Sequence, residues 1–312
     1  MSVLRTCLIT GGAGNLACQL SWRLASRFDE IVLCDLAQSP VTVVPANVKY
    51  KHCDLVDQAG VACLIAEHRP NVIFHLASLL SASCEHDLGR AWNVNTTATL
   101  GLFESCLANG VGTVVFPSSL ATYGGQLADP LEEDAPQWPD SLYGVTKVAC
   151  ERLGLYFHRR QGLDFRCLRL PAVISRFAPT GAASAYSSRA FIESVECGRF
   201  TFPVRPSTQV SLIYVEDALE ALVRLAIAPA ERLSRRVYNI QAISPSAQDI
   251  ADCIRHRLCA ARLDFNPDPV AVRLIESWPR RLQDGSARHD WQWGPQFDLQ
   301  GMADHFLHEL KK

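Results

Sequence analysis

The sequence predicts an α/β fold, a Rossmann-type doubly wound parallel sheet followed by a smaller C-terminal substrate-binding lobe. Two observations support this class. Short β-rich runs alternate with helical patterns through the first half of the chain, which is typical of a parallel sheet covered on both faces. A glycine-rich turn follows the first of these runs and precedes the first helical pattern. The 312 residues allow one large domain or two smaller ones.

Each element is predicted from hydrophobic periodicity and from flanking turn residues. Strands are expected at residues 3–10, 30–34, 48–52, 72–75, 113–117, 165–170 and 237–240. Helices are expected at residues 15–27, 57–67, 88–109, 141–160, 187–198 and 215–226, with another beginning near residue 247. Residues 179–188 show no clear period, and residues 263–297, rich in Pro, Trp, Arg and Asp, are interpreted as covering loops.

Composition excludes several classes of protein. The net charge of −2 gives no sign of a nucleic-acid or membrane-surface partner. No apolar run approaches the roughly 18 residues of a membrane span. The twelve cysteines contain no Cys-x-x-Cys pair, so we expect reduced thiols in a cytoplasmic protein. The nine histidines show no ligand spacing, so no metal site is expected.

The turn after the first strand reads Gly12-x-Gly14-x-x-Ala17 and opens a helix. This is the context of a dinucleotide-binding turn, in which glycines let the backbone approach a pyrophosphate. The amino terminus of the following helix favours the phosphate charge. The sequence therefore predicts a dinucleotide site here.

Acidic residues after the next two strands bear on the choice of dinucleotide. Asp35 ends the second strand, where a carboxylate can bind both ribose hydroxyls and would repel a 2′-phosphate. Neither Ala37 nor Gln38 offers a compensating positive charge, so NAD is favoured over NADP. Asp54, with Leu55 beside it, either contacts the adenine or caps a helix.

Tyr143 and Lys147 lie four residues apart in a helical pattern, so their side chains share one face. A neighbouring ammonium stabilises a phenolate and is expected to lower the pKa of Tyr143. Such a pair can take a proton from an alcohol while hydride leaves the carbinol carbon. Ser119, near the end of a strand, either orients the reacting oxygen or serves as a strand-end cap.

With these motifs in order, the chain resembles the extended short-chain dehydrogenase/reductases of the NAD-dependent epimerase/dehydratase family. The resemblance implies that Tyr143 is the general acid and base, that Lys147 tunes it and holds the nicotinamide ribose, and that Ser119 binds the reacting oxygen. It also implies that Asn95 supports the site through a helix, although a solvated polar residue remains an alternative. The implied cofactor-binding set is Gly11, Gly14, Asn15, Leu16, Asp35, Asp54, Leu55, Leu76, Ala77, Ser78, Asn95, Tyr143, Lys147 and Pro171.

Longer matches resemble the short-chain type of L-threonine dehydrogenase, which oxidises the β-hydroxyl of threonine with NAD. They include residues 75–82, 143–148, 162–169, 277–279 and 287–293. One segment departs from that pattern, because Ala183 and Ala185 stand where those enzymes carry a threonine and an acid. The altered segment is similar to that of small sugar-acid dehydrogenases. The implied substrate-binding set is Ser81, Ser119, Tyr143, Gly181, Ala182, Ala183, Ser184 and Trp278, with Trp278 either closing over the substrate or packing on its own lobe.

Residues 1–170 are accordingly expected to form an NAD-binding core, to which later segments return, and residues 171–312 mainly the substrate-binding lobe. Three functions stay open. The first is an NAD-dependent dehydrogenase of a small β-hydroxy acid, either threonine or a related acid without the amine. The second is a sugar-nucleotide epimerase or dehydratase with tightly bound NAD, and the third is a non-catalytic NAD sensor. The resemblance further implies a homodimer formed through the helices near residues 88–109 and 141–160.

Overall fold

Seven parallel strands form the central sheet of this computed structural model, which describes residues 5–178 and 182–312. The strands run in the order β10-β6-β5-β4-β1-β2-β3. Their bounds are β1 Thr6–Thr10, β2 Glu30–Asp35, β3 Val48–His52, β4 Val72–His75, β5 Thr113–Ser119, β6 Asp164–Leu170 and β10 Val237–Asn239. The predicted fold class is confirmed. The first two residues of the predicted strand 3–10, Val3 and Leu4, lie outside the described ranges, as does Gly181.

The order of the strands reverses direction between β1 and β4. From β1 the chain winds outward through β2 and β3, and from β4 it winds the other way through β5, β6 and finally β10. The two halves therefore leave a crevice at the carboxyl ends of β1 and β4, where doubly wound sheets bind their ligands. The predicted glycine-rich turn follows β1 directly.

Helices cover both faces of the sheet. Those of the first half are α1 Asn15–Leu24, α2 Gln58–His68, α3 Ser81–His86, α4 Leu88–Trp92, α5 Ala98–Ala108 and α6 Leu142–Gln161. On one face α2, α5 and α6 pack around Ile65, Phe103 and Phe157. On the other face α1 packs against a later helix, and that layer is continuous with the core of the C-terminal half.

The predicted single helix over residues 88–109 is instead two helices joined by a π-helical turn, Asn93–Thr97. The helical path is unbroken, but one wider turn is inserted. Within it the Thr99 hydroxyl donates to the Asn95 carbonyl at 2.6 Å. Such turns occur often at functional sites.

The C-terminal half adds two small parallel ribbons and six helices among its described residues. The ribbons pair β7 Ala172–Ile174 with β9 Leu212–Tyr214, and β8 Arg199–Phe202 with β11 Arg262–Phe265. The helices are α7 Tyr186–Glu196, α8 Val215–Ile227, α9 Ala247–Arg257, α10 Pro269–Glu276, α11 Gly285–Trp291 and α12 Leu299–Leu310.

The interpretation of residues 263–297 as loops is wrong in part, because this segment contains most of β11 and the helices α10 and α11. Helix α10 is short but well specified. Asp268 accepts a hydrogen bond from the Val270 amide, Pro269 occupies the first turn, and Val272 and Ile275 are buried on one face. Eight residues were too few for the helical period to stand out from the surrounding polar residues.

Candidate active site

One cavity of about 840 Å³ runs along the carboxyl edge of the sheet and collects most of the predicted site residues. Gly11, Gly14, Asn15, Leu16, Asp35, Asp54 and Leu55 line its cofactor end, with Leu76, Ala77 and Ser78 beside them. Ser81, Ser119, Tyr143, Lys147, Pro171, Ala182, Ala183, Ser184 and Trp278 line the remainder. Gly181 lies outside the described residues, and Asn95 does not reach the cavity wall.

The turn after β1 is shaped for an anion. Gly11 has φ +68°, and a Cβ there would lie 2.8 Å from the Ala77 amide nitrogen, so only glycine lets the two strand ends come this close. Helix α1 begins after Gly14 without a side-chain cap, and its first turn holds no acid. Its leading amides therefore point a positive dipole into the cavity, as a pyrophosphate requires.

Asp35 is held at the end of β2 by two backbone amides. Its Oδ2 accepts from Ala13 at 3.1 Å and its Oδ1 from Ala37 at 3.0 Å. The carboxylate is thus oriented beside the glycine turn while still facing the cavity. This geometry suits the two hydroxyls of an adenosine ribose. Together with the uncapped amides, it shows that the residues present fit NAD.

Tyr143 and Ser119 are brought together by an unusually close approach of helix α6 to the end of β5. A Cβ on Gly144 would lie 2.0 Å from the Ala121 carbonyl oxygen, so a side chain here would force the helix away. Ser141 begins the helix by accepting from the Gly144 amide at 3.2 Å. The Ser119 hydroxyl and the Tyr143 phenol thereby line the same part of the cavity, and the hydroxyl acts to lower the pKa of Tyr143.

The pKa of Tyr143 runs opposite to the sequence-based expectation. Burial raises the pKa of Tyr143 to about 12, and the polar Ser119 hydroxyl only partly opposes this. The expected lowering of the Tyr143 pKa by the Lys147 ammonium is not seen. The ammonium lies 5.6 Å from the centroid of the Tyr143 ring and donates to the Pro117 carbonyl at 3.0 Å. Burial also lowers the pKa of Lys147.

Asn95 is buried rather than solvated, with 4% of its surface exposed. Its Oδ1 accepts from the Leu79 amide at 2.8 Å, and its Nδ2 donates to the Leu79 carbonyl at 3.1 Å and to the Thr146 hydroxyl at 3.2 Å. Leu79 itself lines the cavity, and Thr146 precedes Lys147. Asn95 therefore ties the loop after β4 to helix α6 from behind the site.

A histidine supports the same loop. His75 ends β4, and its ring lies between the hydroxyls of Thr10, at 2.7 Å from Nδ1, and Thr99, at 2.9 Å from Nε2. Because Thr99 donates its proton to the Asn95 carbonyl, it accepts from Nε2, and Nδ1 is the acceptor. Burial lowers the pKa of His75 to about 3, so the ring is neutral.

A buried ion pair lies beneath the catalytic candidates. Glu151, fully buried and one turn beyond Lys147, pairs with Arg169 of β6 at 2.8 Å. The Ser118 hydroxyl donates to the same carboxylate at 2.5 Å. Burial disfavours the charged form of Arg169, but the Glu151 carboxylate outweighs this and raises the pKa of Arg169. The pair connects α6, β5 and β6 directly under Ser119.

Several cavity residues escaped sequence reasoning. They include Leu36, Val41, Cys53, Arg90, Val94, Ser175, Phe177 and Ser188. Leu36 directly follows Asp35, so its position just after the end of β2 could have indicated it as a cavity residue. Phe177 and Ser188 belong to no motif. Within the two described ranges, no group of three or more His, Cys, Asp or Glu side chains is arranged to hold a metal ion.

Known proteins resemble this chain over nearly its whole length. The model of the NAD dependent epimerase/dehydratase family matches residues 7–240. The mitochondrial L-threonine 3-dehydrogenase of Bos taurus is 34% identical over 296 residues, which cover 94% of this chain and 79% of the relative.

Solved structures agree in fold. L-threonine dehydrogenase from Clostridium difficile superposes with a TM-score of 0.93 at 29% identity, covering 99% of this chain and 98% of that one. A monomeric L-threonine 3-dehydrogenase from a metagenome database gives a TM-score of 0.91 at 26% identity, with 98% of both chains covered.

Proposed function

We propose that the substrate of this protein is a small β-hydroxy acid related to L-threonine. The chain belongs to the NAD dependent epimerase/dehydratase family and is an NAD-dependent oxidoreductase. The reaction is oxidation of the secondary alcohol to a ketone. The observation that carries this proposal is the convergence of Ser119, Tyr143 and Lys147 on the cavity that also holds the glycine turn and Asp35. The similarity to threonine dehydrogenases over both halves of the chain supports the substrate class.

In the proposed mechanism Ser119 donates a hydrogen bond to the substrate oxygen and orients the carbinol carbon. Tyr143 takes the hydroxyl proton as general base. The nicotinamide of bound NAD would supply the hydride acceptor. Lys147 places a positive charge near the phenol, 5.6 Å from the centroid of the Tyr143 ring, but burial rather than this charge dominates the pKa of Tyr143. Gly11, Gly14 and the first turn of α1 would bind the pyrophosphate, and Asp35 the adenosine ribose.

A substrate screen tests this function. The purified protein with NAD is offered L-threonine, L-serine, 3-hydroxybutyrate and four-carbon sugar acids, and NADH is followed by absorbance at each addition. We expect turnover with at least one β-hydroxy acid that carries a secondary alcohol. Failure with all of them, together with turnover of a UDP-sugar, would favour the epimerase alternative and contradict the proposal.

The division at residue 170 is also proposed, with a cofactor-binding core before it and mainly the substrate lobe after it. The large hydrophobic cluster that spans α1, α7, α8 and α12 supports an interlocked arrangement rather than two separable units.

A cytoplasmic location is proposed from the chemistry of the cysteines. All twelve are free thiols, and nine of them are buried. No helix in the described parts of the chain is long and apolar enough to cross a membrane.

A homodimer is proposed through the outer faces of α4 and α6. These neighbouring helices expose four large apolar side chains, Leu88, Trp92, Val145 and Tyr156, each at least 39% exposed. Burial of such a patch against a second copy removes apolar area from water. Light scattering in solution should give twice the 34.4 kDa chain mass. A mass of one chain would contradict the proposal, and the monomeric metagenomic relative shows that this outcome occurs among similar folds.

A further inference from the structure

The charged side chains of the cavity are distributed unevenly. Among the described lining residues the only carboxylates are Asp35 and Asp54, which follow β2 and β3 at the cofactor end. The charged group beside Tyr143 is the ammonium of Lys147. Arg90 lines the same cavity and forms no ion pair with another described residue. The substrate end, defined as Ser81, Ser119, Tyr143, residues 182–185 and Trp278, therefore has no carboxylate among its described residues and lies beside the ammonium of Lys147.

Acids elsewhere nearby are already engaged. Between Glu151 and Glu193 the sequence contains one acid, Asp164, which starts β6 at the opposite edge of the sheet and pairs with arginines. Glu276 precedes Trp278 by two residues but binds Arg205 at 2.7 Å and a threonine hydroxyl. Glu85 accepts from the Leu142 amide at 2.7 Å and does not line the cavity. None of these carboxylates is placed to receive an ammonium at the substrate end.

Hydroxyl groups take the place of acids here. The side chains of Ser81 and Ser184 line the cavity and form no hydrogen bond with any other described residue. Ser81 is 8% exposed and lines the cavity, so its hydroxyl is free to meet a ligand there. A hydroxyl can both donate and accept, which suits a substrate hydroxyl or carboxylate. A buried ammonium needs a charged partner, because unpaired burial of a charge is costly.

We infer that the substrate carries a hydroxyl, not an ammonium, on the carbon next to the reacting carbinol. This inference rests on the proposed function and narrows its substrate to a small 2,3-dihydroxy acid. The carbinol carbon loses hydride to NAD and the hydroxyl loses its proton to Tyr143, so the products are the 3-keto acid, NADH and one proton. The ammonium of Lys147 beside the substrate end favours the carboxylate of such a compound, and the lack of a carboxylate there disfavours a second cation.

The experiment compares two substrates that differ only in this group. kcat/KM is measured by NADH absorbance for L-threonine and for the 2,3-dihydroxybutyrate of matching configuration. We expect kcat/KM to be about tenfold or more higher for the dihydroxy acid. The difference corresponds to the one charge-assisted hydrogen bond that the ammonium of L-threonine would lack. A preference for L-threonine overturns the inference and leaves the proposed function standing. If neither compound is oxidised, and no β-hydroxy acid in the screen is oxidised either, both the inference and the proposed function are overturned.

A matched pair of variants tests the electrostatic cause. Ser184→Asp adds a carboxylate to the substrate end, and Ser184→Asn adds a side chain of the same shape without charge. The quantity compared is kcat/KM for L-threonine divided by kcat/KM for the dihydroxy acid. We expect this ratio to be about ten- to a hundredfold higher in Ser184→Asp than in Ser184→Asn. Equal ratios in the two variants would contradict the charge argument. NADH affinity, measured by fluorescence, reports whether either variant has disturbed the cavity.

Discussion

Tyr143→Phe should lower kcat for alcohol oxidation by about 10²–10⁴-fold, the usual contribution of a positioned general base. The variant keeps the ring that lies near Lys147 and removes only the proton acceptor. We therefore expect the dissociation constant for NADH, measured by fluorescence titration, to stay near that of the wild type. Steady-state NADH formation at saturating NAD gives kcat.

The same helix offers a matched control for this variant. Tyr156 lies 13 residues further along α6, with 55% of its surface exposed and outside the cavity, so Tyr156→Phe should retain wild-type kcat. Wild-type oxidation should also rise with pH, because the pKa of Tyr143 is raised to about 12 and the deprotonated phenol is the active form. Near-normal turnover by Tyr143→Phe would remove this residue from the acid–base role.

Glu151→Gln should lower the free energy of unfolding by about 3–5 kcal/mol, because it leaves the Arg169 guanidinium buried without its countercharge. Glu151 is fully buried and Arg169 is 5% exposed, so water cannot replace the lost partner. The amide nitrogen of glutamine cannot accept, so the variant loses the hydrogen bonds to one carboxylate oxygen, either those of Ser118 and Arg169 to Oε1 or that of Arg169 to Oε2. Urea unfolding followed by circular dichroism measures the loss.

Two further variants make this test specific to the buried pair. Replacing both Glu151 and Arg169 with Met removes both charges and should cost less than Glu151→Gln alone. Glu220→Gln breaks a half-exposed pair with Arg224 on α8 and should change stability by only about 0.3–0.5 kcal/mol. If Glu151→Gln unfolds at the same urea concentration as the wild type, the pair does not stabilise the site.

Local signals in the sequence predicted the sheet and most of the residues that line the candidate site. The glycine turn, Asp35, and the spacing of Tyr143 and Lys147 are each legible within a few residues, and the order of strands and helices places them on one edge of a doubly wound sheet. Most of the elements that were missed are short, although the twelve-residue helix α12 was not predicted either. Helix α10 has eight residues and the π turn has five, too few for a period to emerge.

The remaining features depend on tertiary contacts that no local pattern carries. Glu151 and Arg169 are 18 residues apart on different elements, and each by itself is typical of a solvated surface position. Asn95 is placed by the extra residue of a π turn, which turns its side chain inward toward Leu79. The pKa of Tyr143 follows from the depth of its burial, which spacing along a helix does not encode.

His75 makes this fold sensitive to acid through proton linkage. Its pKa falls from 6.5 in the unfolded chain to about 3 in the folded one. Between these values the unfolded chain binds a proton that the folded chain excludes, so the free energy of unfolding falls as pH drops from 6.5 toward 3. Above that window the imidazole is neutral in both states and contributes no pH dependence. Turnover near neutrality therefore responds to pH without any contribution from this histidine, even though it lies directly behind the active-site loop.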